Sequence, residues 1–181
     1  MTDFDTTTET TSVRAISFDA VFSENVGFVG QCLRRLGVRS AELEDVTHEV
    51  FVAVYRKLGD YDAGRPLRAW LFGFAYHTAL RYKDLARHER EVFGEMPEMT
   101  DESPSSEDRA MASQTRTRLQ RALDTLPIEQ RAVFVLHDIE DAAMPEVAET
   151  LGMPLNTAYS RLRIARAKLK RLLAAEREGA M

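Results

Sequence analysis

Residues 145–162, PEVAETLGMPLNTAYSRL, decide the fold. A short apolar-stepped segment, Pro145 to Leu151, ends at Gly152, and a longer segment opens after Pro154. Val147, Ala148 and Leu151 form one inward face. Ala158, Leu162, Ala165 and Leu169 recur at steps of three and four and form a second face to pack against it. Short helix, glycine turn and longer basic helix together give the pattern of a helix-turn-helix. From Thr157 to Leu173 the second helix carries Arg161, Arg163, Arg166, Lys168, Lys170 and Arg171 and no acid. Asn156, Thr157, Tyr159, Ser160, Arg161, Arg163 and Arg166 then face outward near the start of that helix, where a recognition helix meets base edges. The competing description is a helical hairpin with a solvated basic face. Agreement of glycine, core spacing and one-sided charge favours the first.

Upstream of Pro127, which opens a helix running through Asp138, Leu119, Leu123 and Leu126 mark another. Residues from about 91 to 106 have no apolar period. They hold Gly94, Pro97, Pro104 and a cluster of serines and acids, the composition of a flexible linker. On its far side, Phe18, Val21, Phe22, Phe28, Val29, Cys32, Leu33 and Leu36 step helically until Gly37. Ser40 suits the cap of a second helix, in which Leu43, Val46, Val50, Val54 and Leu58 face inward before Gly59. Pro66 suits the first position of a third helix, to about Arg90, with Leu67, Trp70, Leu71, Phe74 and Leu85 inward. With no alternating β-branched run and no internal repeat, the expected fold is all-α. Two small helical modules are joined by a flexible acidic linker: a disordered tail over 1–15, a module over 16–90, the linker over 91–114, a second module over 115–175 and a short tail over 176–181.

Charge is distributed unevenly. The chain of 181 residues has a net charge of −5, with 44% hydrophobic and 29% charged residues. Residues 1–11 and 91–116 hold ten acids and two bases, so the remainder sums to +3. Nucleic acid responds to that local field rather than to the total. No apolar run approaches the roughly 20 residues of a membrane helix. The lone Cys32 cannot make an internal disulfide and lies on an apolar stripe, which fits a cytoplasmic protein. His48, His77, His88 and His137 lack paired metal-ligand spacing, and no glycine-rich phosphate loop is present. Neither metal, cofactor nor enzymatic activity is expected.

Two further constellations stand out. On the second helix Asp45 and Glu49 are four apart, where like charges repel. The pair, with His48 between, hints at a basic partner surface, although these residues alone favour a plainly solvated face. On the third helix Trp70, Phe72, Phe74, Tyr76 and Tyr82 interleave with Arg68, Arg81, Lys83, Arg87, His88 and Arg90. Aromatic faces stack on unpaired bases while cations follow phosphates; a core helix with a basic outside is the alternative.

Residues 33–37 (LRRLG), 43–51 (LEDVTHEVF) and 62–73 (DAGRPLRAWLFG) resemble region 2 of bacterial sigma-70 factors, in the extracytoplasmic-function subgroup. Residues 119–173 resemble region 4. The resemblance implies a factor that binds core RNA polymerase, recognises −10 and −35 promoter elements and promotes melting, under the control of an anti-sigma factor. It puts Asp45, His48, Glu49 and Phe51 on the clamp helices of the largest subunit, with a second contact at the flap. Melting and −10 recognition fall to Arg68, Trp70, Tyr76, His77, Arg81, Tyr82, Lys83 and Arg87, and −35 recognition to residues 156–163 with Arg166. The chain departs from the family pattern at three places. His48 replaces a usual Gln, Tyr76–His77 a common Arg–Asn pair, and Met144 a Ser or Thr that caps the first helix of the helix-turn-helix. Two other functions compete: a stand-alone regulator whose N-terminal half senses a ligand or dimerises, and an adaptor that binds protein without DNA.

Overall fold

A computed structural model describes residues 16–93 and 107–178. The N-terminal tail, residues 179–181 and most of the acidic linker therefore lie outside the described residues, while the last helix runs to Glu178, into the stretch read as a C-terminal tail. Among those described there are seven α-helices and no strand. Helices α1 (Phe18–Leu36), α2 (Leu43–Lys57) and α3 (Leu67–Phe93) pack into one bundle; α4 (Glu107–Asp124), α5 (Ile128–Phe134), α6 (Met144–Thr150) and α7 (Leu155–Glu178) form the other. Helices α3 and α4 thus reach into both ends of the stretch read as linker.

Local chemistry explains where the elements stop. Gly37, at φ 95°, takes the left-handed cap of α1, with its N–H on the Arg34 carbonyl and that of Val38 on Leu33. The expected cap at Ser40 does not form. Ser40–Glu42 instead make a 3₁₀ turn, and α2 starts at Leu43 with no side-chain cap. Glu42, at the cap position, is held elsewhere: Arg39 donates to its carboxylate at 2.6 and 3.1 Å, and the Tyr82 hydroxyl donates to it as well. Leu85, expected inward, is 65% exposed, because the core-facing residues of α3 end at Tyr82 among those described.

In the second bundle the expected packing is present throughout. Val147, Ala148, Leu151, Ala158, Leu162, Ala165 and Leu169 are all buried. Gly152, at φ 63°, makes the turn. The cap position before α6 is Ala143, not Met144, which lies one residue inside and is buried in the core. Met144 therefore adds apolar burial, worth about 1.5–3 kcal/mol for a side chain of its size, at a site read only as a lost cap.

The two bundles touch. Helix α3 lies against α6, and α1 against α4 and α5. Arg35 on α1 pairs with Glu140 at 2.5 Å, both largely shielded from solvent. Gln120 donates to the Arg34 carbonyl at 2.9 Å, and Arg65 pairs with Glu149 at 3.1 Å. At Gly73, a β-carbon would already lie 3.4 Å from Thr150 Cγ2, so the missing side chain lets α3 approach α6.

Candidate nucleic-acid interface

On α2, Asp45, His48 and Glu49 are exposed along one face, as the four-residue step requires. Phe51 is not with them. It is 2% exposed and meets Phe22 and Phe18 edge-on, at ring separations of 4.8 and 6.4 Å. A surface role for Phe51 is thereby corrected, since it points between α1 and α2. Sequence reasoning missed Val52 and Tyr55, exposed apolar groups a turn or two further along α2. Their signal was present, as Val52 continues the Asp45, His48, Glu49 stripe. Glu49 also has Arg81 of α3 at 3.9 Å, which partly relieves the acid pair.

The eight residues singled out on α3 do not share a face. Trp70, His77 and Arg81 lie in line at steps of seven and four, with Phe74 and His88 on the same stripe. Trp70 is half-buried between Tyr61 and Phe74, at 4.9 and 4.8 Å between ring centres. Arg68 looks toward α1, its guanidinium 5.0 Å over the Phe28 ring, a cation–π contact. Tyr82 is half-buried in the Arg39–Glu42 cluster; burial chiefly, and its bond to Glu42, push its hydroxyl pKa up. Lys83 is half-buried, with its Nζ 3.0 Å from where a Gly37 β-carbon would stand, and Arg87 is exposed beside Asp84.

Tyr76 is the main surprise. It is 5% exposed, although α3 was expected to offer it to DNA. Its pKa is raised by burial first and by Glu129 next, and lowered by Arg161. Glu129 and Arg161 both belong to the other bundle. Tyr76 is therefore a core residue and not a surface one, and Phe72, another of the aromatic series, is fully buried.

On α7, Asn156, Tyr159, Ser160, Arg163 and Arg166 are exposed, and Thr157 and Arg161 are half-buried. The Arg161 guanidinium lies 3.6 Å from Met153 Sδ. Arg166 is held away from the first turns: Asp138 accepts from its Nε and Nη2 at 2.8 and 2.5 Å. A buried helix-turn-helix core beneath an exposed first turn bearing Asn156, Tyr159, Ser160 and Arg163 suits major-groove reading.

Comparison with known proteins agrees with this geometry at both ends. Residues 21–90 match sigma-70 region 2, and residues 116–169 match sigma-70 region 4. A sigma factor of Cupriavidus metallidurans, CnrH, is 31% identical over 83% of this chain and 83% of its own length. The chain belongs to the sigma-70 family. Within it the chain falls in the extracytoplasmic-function subgroup, as does SigE of Mycolicibacterium smegmatis, 33% identical over 87% of this chain and 62% of that relative. The structure of CnrH in complex with the cytosolic domain of CnrY superposes with a TM-score of 0.63 at 29% identity, over 87% of this chain and 88% of that one. A Bartonella quintana sigma factor, RpoE, solved with the anti-sigma factor NepR, shares the fold at a TM-score of 0.69 and 22% identity, over 87% and 96% of the two chains. Sigma factors are initiation factors, not enzymes: they bind core RNA polymerase and direct it to promoters. Among the described residues no helix is long and apolar enough to cross a membrane.

Proposed function

We propose that this sigma factor divides its work between modules spanning about residues 16–90 and 115–175. Its acidic α2 face, Asp45, His48 and Glu49 with Val52 and Tyr55 beside them, takes the clamp helices of the polymerase largest subunit. The α3 stripe of Trp70, Phe74, His77 and Arg81 takes the separated −10 strand by stacking and phosphate pairing. The first turns of α7, from Asn156 to Arg163, read the −35 element. The observation that carries the reading is two helical units in family order, with the acidic α2 face and the polar start of α7 both exposed. We further assign the protein to the cytoplasm, where polymerase is, and give it an anti-sigma partner of the kind seen on RpoE.

Run-off transcription with purified core polymerase tests the whole reading, and Asp45→Lys/Glu49→Lys tests its first step. The double variant should keep its helical circular dichroism and lose co-purification with core. Undiminished binding by the folded variant would remove α2 as the docking face. Duplex binding by the free chain equal to that of the holoenzyme would favour a stand-alone regulator.

A further inference from the structure

Helix α7 carries six bases and no acid between Thr157 and Leu173. Arg163, Arg166 and Lys170 follow one another at steps of three and four, so like charges lie along one side of the helix and repel. Relief has to come from another element, and one acid supplies it. Asp138, in the π-helical turn after α5, accepts from Nε and Nη2 of Arg166 at 2.8 and 2.5 Å. A planar guanidinium and a carboxylate thus meet in a two-pronged, charge-assisted contact. The Asp138 side chain is 18% exposed and that of Arg166 55%, so water competes less for the acid than at an ordinary surface pair. Arg163, one turn nearer the start of the helix, is exposed and has no partner among the described residues.

We propose that Arg166 is a positioning residue and not a DNA contact, and that Asp138 acts through it to set how α7 presents its first turns to the major groove. The resemblance to region 4 put Arg166 among the −35 contacts; the pairing withdraws it from them. The physical need is orientation. Ala158, Leu162, Ala165 and Leu169 bury one side of α7, but apolar burial is non-directional, and two of the four are alanines with little shape to lock. A bidentate ion pair is directional, so it fixes the rotation of the helix about its own axis. The anchor is fixed in turn. His137 Nδ1 donates to the Ala142 carbonyl at 2.8 Å, and the Ala142 N–H closes on Leu136. With the helix held at Arg166, Asn156, Tyr159, Ser160 and Arg163 face outward together, and Arg163 is the base left free to meet DNA.

The inference rests on the reading of α7 as the −35 reader, and its test separates the two. Reconstituted holoenzyme is titrated with labelled promoters carrying a panel of −35 sequences, at salt from 50 to 200 mM, and binding is followed by fluorescence anisotropy. Wild type, Asp138→Asn, Arg166→Gln and the double variant are compared, each checked by circular dichroism. Each single variant should weaken the best-bound sequence about fivefold, the upper end for a partly shielded ion pair. It should weaken the others less, so that discrimination across the panel falls. The double variant should bind no worse than either single, because the two side chains act as one unit. For Arg166→Gln the slope of log affinity against log salt should stay at the wild-type value. A slope shallower by about 0.9 would show that Arg166 neutralises a phosphate and would overturn the proposal. Tighter binding by Asp138→Asn, or losses that multiply in the double variant, would overturn it too. Equal weakening of every sequence would reduce the pair to holding the module together and remove its positioning role. Failure of the −35 reading shows separately, as wild-type holoenzyme that does not discriminate across the panel.

Discussion

Arg131 is the largest fully buried side chain of the described residues and carries a charge. Its Nη1 donates to Asp124 at 2.9 Å and its Nη2 to the Leu126 carbonyl at 3.2 Å, while Nε has no partner. Burial lowers its pKa by more than Asp124 raises it, so the site desolvates this charge without fully compensating it. Two substitutions should therefore differ in the less obvious direction. Asp124→Ala leaves a buried guanidinium facing one carbonyl. Removing one partner of a fully buried pair costs about 3–5 kcal/mol. The Asp124 side chain is half exposed, at 50%, so solvent already takes part of its role, and the cost falls to roughly 2–3 kcal/mol. Arg131→Met removes the charge and the orphaned Nε, keeps most of the apolar stem, and forfeits two bonds, one of about 1 kcal/mol to the Leu126 carbonyl and one to Asp124, whose half-exposed carboxylate turns to solvent. Its net effect should lie within about 1 kcal/mol of zero. Urea denaturation followed by circular dichroism gives both values, compared through midpoints at equal slope. If Arg131→Met costs more than Asp124→Ala, the guanidinium stabilises the fold as a bonded group and the desolvation argument is wrong.

Other perturbations test neighbouring parts. Gly37→Ala should cost about 1–3 kcal/mol, because the residue sits at φ 95° and its new methyl would press on Arg131 Nη1; a neutral result in the same denaturation assay would show that the cap relaxes. Glu42 has its pKa lowered by Arg39 first, so its contribution is present above the ordinary carboxylate range and lost as pH falls through the depressed value. Glu42→Gln should accordingly narrow its stability deficit as pH falls from 6 to 3, read from thermal melts. On reconstituted holoenzyme, Arg161→Ala should cost about 1–3 kcal/mol and relax preference at one −35 position, while Lys170→Ala weakens all variants alike or none. Equal shifts across a promoter panel would reduce α7 to an electrostatic anchor.

What could be read from the sequence was whatever local order determines. The seven core positions of the helix-turn-helix, the helix stops at Gly37 and Gly152 and the α1 stripe each depend on residues within a turn or two, and all are as read. The misreadings share a cause. Phe51, Tyr76 and Leu85 lie on helices whose polar–apolar period is clear, but what covers each position is another element. Phe51 is claimed by Phe18 and Phe22 of α1, Tyr76 is buried in the core, and Leu85 is left exposed. Aromatic residues interleaved with bases on a helix also conceal which face each occupies. Only after numbering around α3 do Trp70, His77 and Arg81 separate from Tyr76, Lys83 and Arg87.

The segment after α5 shows how one local irregularity serves both bundles. Val135–Ile139 form a π-helical turn, and Asp141 follows at φ 57°, a conformation few residues other than glycine adopt. The chain then closes with the Glu140 N–H on Val135 and the Ala142 N–H on Leu136, while His137 Nδ1 meets the Ala142 carbonyl at 2.8 Å. Asp138 and Glu140, two residues apart, are thereby sent to different partners, Arg166 of α7 and Arg35 of α1. The Asp138–Arg166 pair lies wholly within the second bundle; the Glu140–Arg35 pair crosses to the first. Separating the bundles breaks only the second. The tether on Arg166 thus seats α7 on its own core independently of the contact between the bundles. That predicts a recognition helix ordered before it meets DNA, and Asp138→Ala should loosen −35 binding in holoenzyme without changing the compactness of the free chain.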